Sequence, residues 1–311
     1  MGRPHLRGLV VGAAAGGGFP QWNCSCANCA AFWRGEPGYT AMTQSSFAAS
    51  ADGACWTLIN ASPDLRAQII AQPALHPRPG STRHSPIVSV ILTNGDLDHI
   101  AGLLTLREKH PLRLLATGEI LSVIEANPVF NALDRDFVRF EQIAVGAAFE
   151  PTPGLTARLF HTPGKTPLFM EGDGPVDTAV VGDQTVGVEL SVGGETLFYI
   201  PGCARLSPEL AKRLRGADTV LFDGTVFHDD EMIRAGAGSK TGARMGHMAM
   251  AGPEGSLKAF EALGVRRKIY VHINNTNPVL RPDGPERAQV YAAGWEIARD
   301  GLMVEVERKP G

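Results

Sequence analysis

A layered α/β fold is what the sequence predicts, and three observations carry that expectation. Strand-like and helix-like segments alternate to the end of the 311-residue chain, the pattern of helices packed on sheets. Strand-like runs such as Ile87-Val-Ser-Val-Ile-Leu92 are almost continuously apolar, as strands become when both faces of their sheet are covered. Residues with metal or proton chemistry fall just after such runs, at the strand ends where open α/β sheets hold their ligands. No polar linker divides the chain, so residues 1–311 are expected to form one compact domain with helices outside.

Taken in order, strands are expected at Leu6–Ala13, Cys55–Asn60, Ile87–Leu92, Thr156–His161, Thr185–Val192, Thr196–Ile200, Thr219–Phe222, Lys268–His272 and Leu302–Val306. A helix-like run follows from Ile100 to Glu108. Two further helices begin at Ser62-Pro63-Asp64 and Ser207-Pro208-Glu209, each with a Ser N-cap, Pro at the first helical position and an early acid. Gly252-Pro253-Glu254 and Gly284-Pro285-Glu286 give two more starts. The Pro-rich stretch from Pro73 to Pro86 is a surface loop on this reading. No repeat at a solenoid period is present, although a two-sheet sandwich can hide pseudo-symmetry.

Composition narrows the function classes. Hydrophobic residues are 44% and charged residues 20% of the chain, ordinary for a globular enzyme. A net charge of −3 offers no basic surface for nucleic acid or an anionic membrane. No run of apolar residues reaches membrane-span length. The N-terminus is too short and glycine-broken for a signal peptide, which points to a cytoplasmic protein. Cys24, Cys26 and Cys29 crowd into one loop, and in a reducing compartment such a cluster reads as metal-binding. Three soft thiolates suit a structural zinc, against the alternative of three unrelated small buried residues. A fourth ligand must come from elsewhere, and Asn275 is one candidate.

The second cluster is Thr93-Asn94-Gly95-Asp96-Leu97-Asp98-His99, a turn between a strand-like and a helix-like run. Adjacent Asp98 and His99 on a turn can address one ion, although Asp98 could equally cap the following helix. His272, at the end of another strand-like run, makes the metal reading stronger, because a shared site needs ligands from more than one strand end. His247 sits on a glycine-flanked loop and could orient substrate or move protons, or be a plain loop histidine. Asp223, His161, Lys165 and Cys203 lie at or near strand ends and are further candidates for the cleft. Gly16-Gly17-Gly18 lacks the Lys-Ser/Thr ending of a P-loop and the spacing of a dinucleotide fingerprint.

Gly16 to Cys29, Thr93 to His99 and Val271-His272-Ile-Asn-Asn-Thr-Asn-Pro278 together closely resemble the coenzyme PQQ synthesis protein B family over nearly the whole chain. The resemblance implies a metallo-β-lactamase-like αββα sandwich with a metal cleft at one sheet edge. It also implies a role in making pyrroloquinoline quinone, a redox cofactor built from a Glu and a Tyr of a precursor peptide. Iron-dependent, oxygen-consuming hydroxylation of the tyrosine ring is the chemistry the family suggests. A non-enzymatic carrier that takes the quinone toward the periplasm is the alternative.

Against the His-x-His-x-Asp-His motif of metallo-β-lactamase-fold hydrolases, this chain reads Asn94-x-Asp96-x-Asp98-His99. Lys165 lies in the segment where another histidine is often found, and Cys203 falls near the bridging aspartate. One metal position is therefore degraded, while Asp98, His99 and His272 retain the other, which weakens a binuclear zinc hydrolase reading. Two histidines and one carboxylate suit a mononuclear iron(II) centre with open positions. The expected set is thus Asp98, His99 and His272 on iron, Cys24, Cys26 and Cys29 on zinc, and His247 and Asp96 as catalytic residues. The expected partners are a Glu-Tyr-derived precursor and molecular oxygen.

Overall fold

The computed structural model describes residues 4–171, 177–178 and 180–306, so Met1–Arg3 and the C-terminal 307–311 of the predicted domain lie outside the described residues. Among those described, fourteen strands form two seven-stranded sheets. The first holds β1 (Arg7–Gly12), β2 (Ser46–Ser50), β3 (Trp56–Ile59), β4 (Ile87–Ile91), β5 (Leu112–Ala116), β6 (Val138–Gln142) and β14 (Met303–Glu305), in the order β14-β1-β2-β3-β4-β5-β6. The second holds β7 (Ala148–Thr152), β8 (Leu155–His161), β9 (Val186–Val192), β10 (Glu195–Ile200), β11 (Thr219–Asp223), β12 (Arg267–Val271) and β13 (Trp295–Ile297), in the order β13-β12-β11-β10-β9-β8-β7. Each sheet is antiparallel in one half and parallel in the other. The pseudo-symmetry left open by the sequence is therefore present in the strand order.

The central strands β2, β3 and β11 are buried at every position, because one face meets the opposite sheet and the other meets helices. Edge strands β6 and β14 show exposed positions instead. Phe47 on β2 stacks on Tyr199 of β10 at 5.1 Å, stitching sheet to sheet. The buried Tyr199 hydroxyl is satisfied by Ser45 Oγ at 2.9 Å, as a phenol removed from water requires. Each large side chain buried this way contributes about 1.5–3 kcal/mol.

The helix after Ser207 starts as expected, with the Ser207 hydroxyl accepting from Leu210 N–H at 3.2 Å. At Ser62-Pro63-Asp64 the Ser62 hydroxyl accepts from the Asp64 N–H at 3.3 Å, but residues 63–64 form a turn and the α-helix proper begins at Leu65. The start at Gly252 likewise shifts to Ser256. The expected helix from Ile100 to Glu108 is shorter than predicted: an α-turn spans Leu97–Ile100 and a 3₁₀ stretch covers Ala101–Leu106. The reason is a close dock. Ala61 N–H bonds to His99 O and Gly102 N–H to Ala61 O, and a Cβ at Gly102 would collide with the Ser62 carbonyl. Strands β2, β5, β6, β7 and β13 are additions to the sequence expectation.

Candidate metal centre

Several loops meet at one edge of the sandwich. The loop after β1 is tied to the turn after β12 by Ile273 N–H to Ala13 O and Ala15 N–H to Ile273 O, at 2.9 and 2.8 Å. His272 is not the last residue of its strand but the first beyond it, with φ +58°. A non-glycine residue in that left-handed region is strained, a condition that clusters at functional sites. The strain turns the imidazole back toward the Thr93–His99 turn.

There Asp98 Oδ2 lies 3.1 Å from His272 Nε2 and 3.7 Å from His99 Nε2. Ligand atoms of all three residues fall within 4.8 Å of one another, a geometry able to hold a metal ion. The remaining ring nitrogens explain how each histidine is aimed. His99 Nδ1 lies 2.7 Å from Asn94 Oδ1, which also accepts from Asp96 N–H; Nδ1 therefore carries the proton. That leaves buried His99 Nε2 with its lone pair and no hydrogen-bond partner in the protein. His272 Nδ1 lies 2.8 Å from Thr225 Oγ1, whose own proton goes to Asp223 Oδ1 at 2.7 Å. His272 Nε2 is then the atom this ring offers to an ion, and it faces the Asp98 carboxylate. Burial alone would raise the Asp98 carboxyl, but His99 and His272 hold it far below the ordinary carboxylate range. Burial also pushes the His99 imidazolium down, toward the neutral ring. An ionised carboxylate and two imidazoles braced at Nδ1 from outside fit a divalent cation.

Asp223, His247 and His272 also gather close enough to ligate. Asp223 is nevertheless already saturated. Its Oδ2 accepts from Cys203 N–H and His247 Nδ1–H at 2.8 and 2.7 Å, and its Oδ1 from Thr225 N–H and Oγ1–H. A carboxylate has about four acceptor sites, so none remains for an ion. Asp223 instead fixes the His247 ring, leaving Nε2 as its other polar atom. Burial would lower the His247 pKa, but the carboxylates of Asp223, Asp96 and Asp98 raise it.

A cavity of about 290 Å³ opens onto these groups, and Asp96, Asp98, His99, Lys165, His247 and His272 all line it. Of the sequence candidates, Asp96 sits on the wall outside the convergent metal set. Lys165 reaches the cleft; His161 does not, pairing with Asp183 at 2.7 Å. Cys203 is also outside: its thiol is buried against Arg205 O at 3.1 Å, and only its backbone serves the site. Thr225, Lys240, Met232 and Met245 line the cavity without having stood out in the sequence. Glu171 stood out no more, yet it draws Lys165, Lys240 and Arg244 to within 3.0, 3.6 and 3.1 Å. Against the effect of burial, these cations bring its pKa down to about 2.

The second cluster is also assembled. Cys24, Cys26 and Cys29 bring their sulfurs within ligating range of one another, with the Asn275 amide over them at 3.1, 3.7 and 3.5 Å. Burial and the neighbouring thiols push Cys26 up to about 12, so a bound cation is what would let all three ionise. Asn28 Nδ2 donates to Asn275 O and Asn277 O, both at 2.9 Å, which couples the cysteine loop to the turn carrying His272.

Comparison with known proteins identifies the family and the fold. Residues 55–273 match the family described as Beta-lactamase superfamily domain. The chain is 54% identical over 301 residues to Coenzyme PQQ synthesis protein B of Rhizobium meliloti, covering 97% of this chain and 98% of the relative. It is 52% identical over 298 residues to the protein of that name from Methylorubrum populi, covering 96% and 99%. Among solved structures, Zn(2+)-bound PqqB from Methylobacterium extorquens superposes with a TM-score of 0.94 at 51% identity, over 96% of this chain and all of that one. A diphosphatase of the PhnP family, 19% identical with a TM-score of 0.68, shares the fold. Among the described residues no helix is long and apolar enough to cross a membrane.

Proposed function

Because the chain belongs to the coenzyme PQQ synthesis protein B family, with the metallo-β-lactamase-like αββα fold, we propose that it acts in PQQ biosynthesis as a single-domain, non-haem iron-dependent hydroxylase. Its substrate on this reading is the tyrosine ring of a Glu-Tyr-derived precursor, and its site of action is the cytoplasm. The carrying observation is the donor set itself: one ionised carboxylate and two imidazoles whose second nitrogens are braced by Asn94 and Thr225. Asn94 stands where the hydrolase motif has a histidine, and it serves His99 as an orienting acceptor. That arrangement supports one metal at the cleft and disfavours the binuclear hydrolase.

Asp98, His99 and His272 would hold iron(II), which can activate oxygen where zinc, without redox chemistry, cannot. Hydroxylation breaks a ring C–H bond and inserts one oxygen atom; the second oxygen leaves as water, with two electrons drawn from a reductant. Asp223 holds the His247 ring so that Nε2 can share a proton with the phenol oxygen and fix the ring's presentation. Asp96 lines the same wall and orients substrate from that side. Cys24, Cys26 and Cys29 would bind a structural zinc, with a rotated Asn275 amide offering its oxygen as fourth ligand. The test is anaerobic loading with iron(II), then addition of Glu-Tyr dipeptide, ascorbate and oxygen. A ring-hydroxylated product is expected. Equal turnover by zinc-loaded protein without oxygen uptake would overturn the proposal.

A further inference from the structure

A cluster of cations adjoins the cleft. Among the described residues, the cations Lys165, Lys240 and Arg244 gather on the carboxylate of Glu171, and two of them, Lys165 and Lys240, line the metal cavity. Only Lys165 and Arg244 approach Glu171 closely; Lys240 stands off at 3.6 Å, beyond a good hydrogen bond. Lys165 is held in a narrow slot. Gly246, at φ +86°, packs against its stem, and a Cβ there would press on Lys165 Cγ at 3.3 Å. Each ammonium carries three donors; Lys165 directs one to Glu171 and one to the Thr166 carbonyl at 3.1 Å, which leaves it one for a ligand, and Lys240 at 3.6 Å from Glu171 keeps more. Asp96, Asp98, Met232 and Met245 line the same cavity. Thioether walls of this kind suit an aromatic ring.

We propose that Lys165 and Lys240 form a carboxylate-binding subsite, with Glu171 and Arg244 positioning them, that anchors an acidic aromatic substrate so that its ring lies toward Asp98, His99 and His272. This rests on the hydroxylase reading for the identity of the substrate, but not for the existence of the subsite. Two ammonium groups in a recessed cleft attract and orient carboxylates. A dipeptide of an acidic residue followed by the aromatic one carries two such groups, the acidic side chain and the C-terminal carboxylate of the aromatic residue. Lys165 and Lys240 therefore discriminate acidic from neutral peptides, a task the metal ligands cannot perform.

Calorimetric titration of zinc-loaded protein tests this without turnover. Three probes are used: L-glutamyl-L-tyrosine, its carboxylate-free counterpart L-glutaminyl-L-tyrosinamide, which keeps the same α-amino group, and the aromatic dicarboxylate 4-hydroxybenzylmalonate. The dipeptide should bind roughly ten- to a hundredfold more tightly than the diamide, the worth of a charged hydrogen bond. Lys165→Gln and Lys240→Gln should each erase most of that preference, and Lys240→Arg should restore part of it. Lys240 is half-exposed, so its variants keep the test valid should Lys165→Gln misfold. Equal binding of dipeptide and diamide, or a preference unchanged in Lys240→Gln, overturns the subsite and leaves the hydroxylase reading standing. Binding of the dicarboxylate but not the dipeptide, weakened in Lys240→Gln, supports the subsite and counts against the substrate reading. Failure of all three probes to bind overturns both.

Discussion

Thr225→Val is the perturbation that examines how the cleft is organised. Thr225 is buried, and its hydroxyl stands at the junction of Asp223 Oδ1, His272 Nδ1 and His247 Nδ1, at 2.7, 2.8 and 3.1 Å. Valine keeps the branched shape and removes only the polar atom, so packing is preserved. Asp223 retains three of its four donors, the Thr225 backbone N–H among them. His272 loses more: its Nδ1–H is left buried without an acceptor, at about 1–3 kcal/mol. The ring can then change tautomer or turn, and its Nε2 is no longer fixed toward Asp98. Loss of an outer partner of this type weakens metal binding roughly ten- to a hundredfold. Competitive titration of iron(II) against a calibrated chelator measures that change, with circular dichroism to verify the fold. Metal affinity within twofold of the parent protein would refute the reasoning, because the hydroxyl would then have no part in aiming His272.

Three other expectations follow from the same contacts. His272→Ala should lose the cleft metal while keeping the thiolate-bound one, whereas His247→Ala should keep both metals and slow turnover; the opposite pattern in metal content would exchange their roles. Cys26→Ser should release the zinc and lower Tm, since metal binding is folding free energy. It should also weaken the cleft metal, because Asn28 links the cysteine loop to the His272 turn; a variant that loses zinc yet melts like the parent contradicts this. Burial pushes Glu231 up from 4.5 to about 7 despite the two backbone N–H groups that it accepts. Between those values the native protein binds more protons than the unfolded chain, so this residue's contribution to stability falls as pH rises. The Tm of Glu231→Gln minus that of the parent should therefore increase from pH 5 to 8, and a flat or falling difference would contradict the assignment.

Much of this could be read in the sequence because the candidate metal ligands sit where the chain changes direction. Asp98 and His99 fall between an apolar run and a helix start, and His272 falls after another, so local pattern alone places them at strand ends. What pattern cannot supply is the partner of each ring nitrogen. Thr225 is an ordinary threonine two residues after a strand-end aspartate, and its role exists only once β11 and β12 lie side by side in parallel register. Asn94 reads as a lost ligand until its oxygen is found on His99. Lys240 and Glu171 are far apart in sequence and carry no motif; only tertiary contact makes them a group. Strand β2, Ser46–Ser50, was hidden for a different reason. Ala and Ser have little strand propensity, and the close approach of neighbours, with every position buried, selects small residues there. The helix after Asp96 was overextended because its periodicity continues, while the dock of Gly102 onto the Ala61 carbonyl cannot be seen locally.

The central claim is a division of metals: iron at a carboxylate and two histidines, zinc at three thiolates. Anomalous diffraction from crystals of iron-reconstituted protein, recorded on both sides of the iron and zinc absorption edges, tests it most directly. The account predicts one iron peak among Asp98 Oδ2, His99 Nε2 and His272 Nε2, one zinc peak among Cys24, Cys26 and Cys29, and no metal peak at Asp223. A second ion bridging toward Asp223 and His247, or zinc retained in the cleft after iron loading, would contradict it.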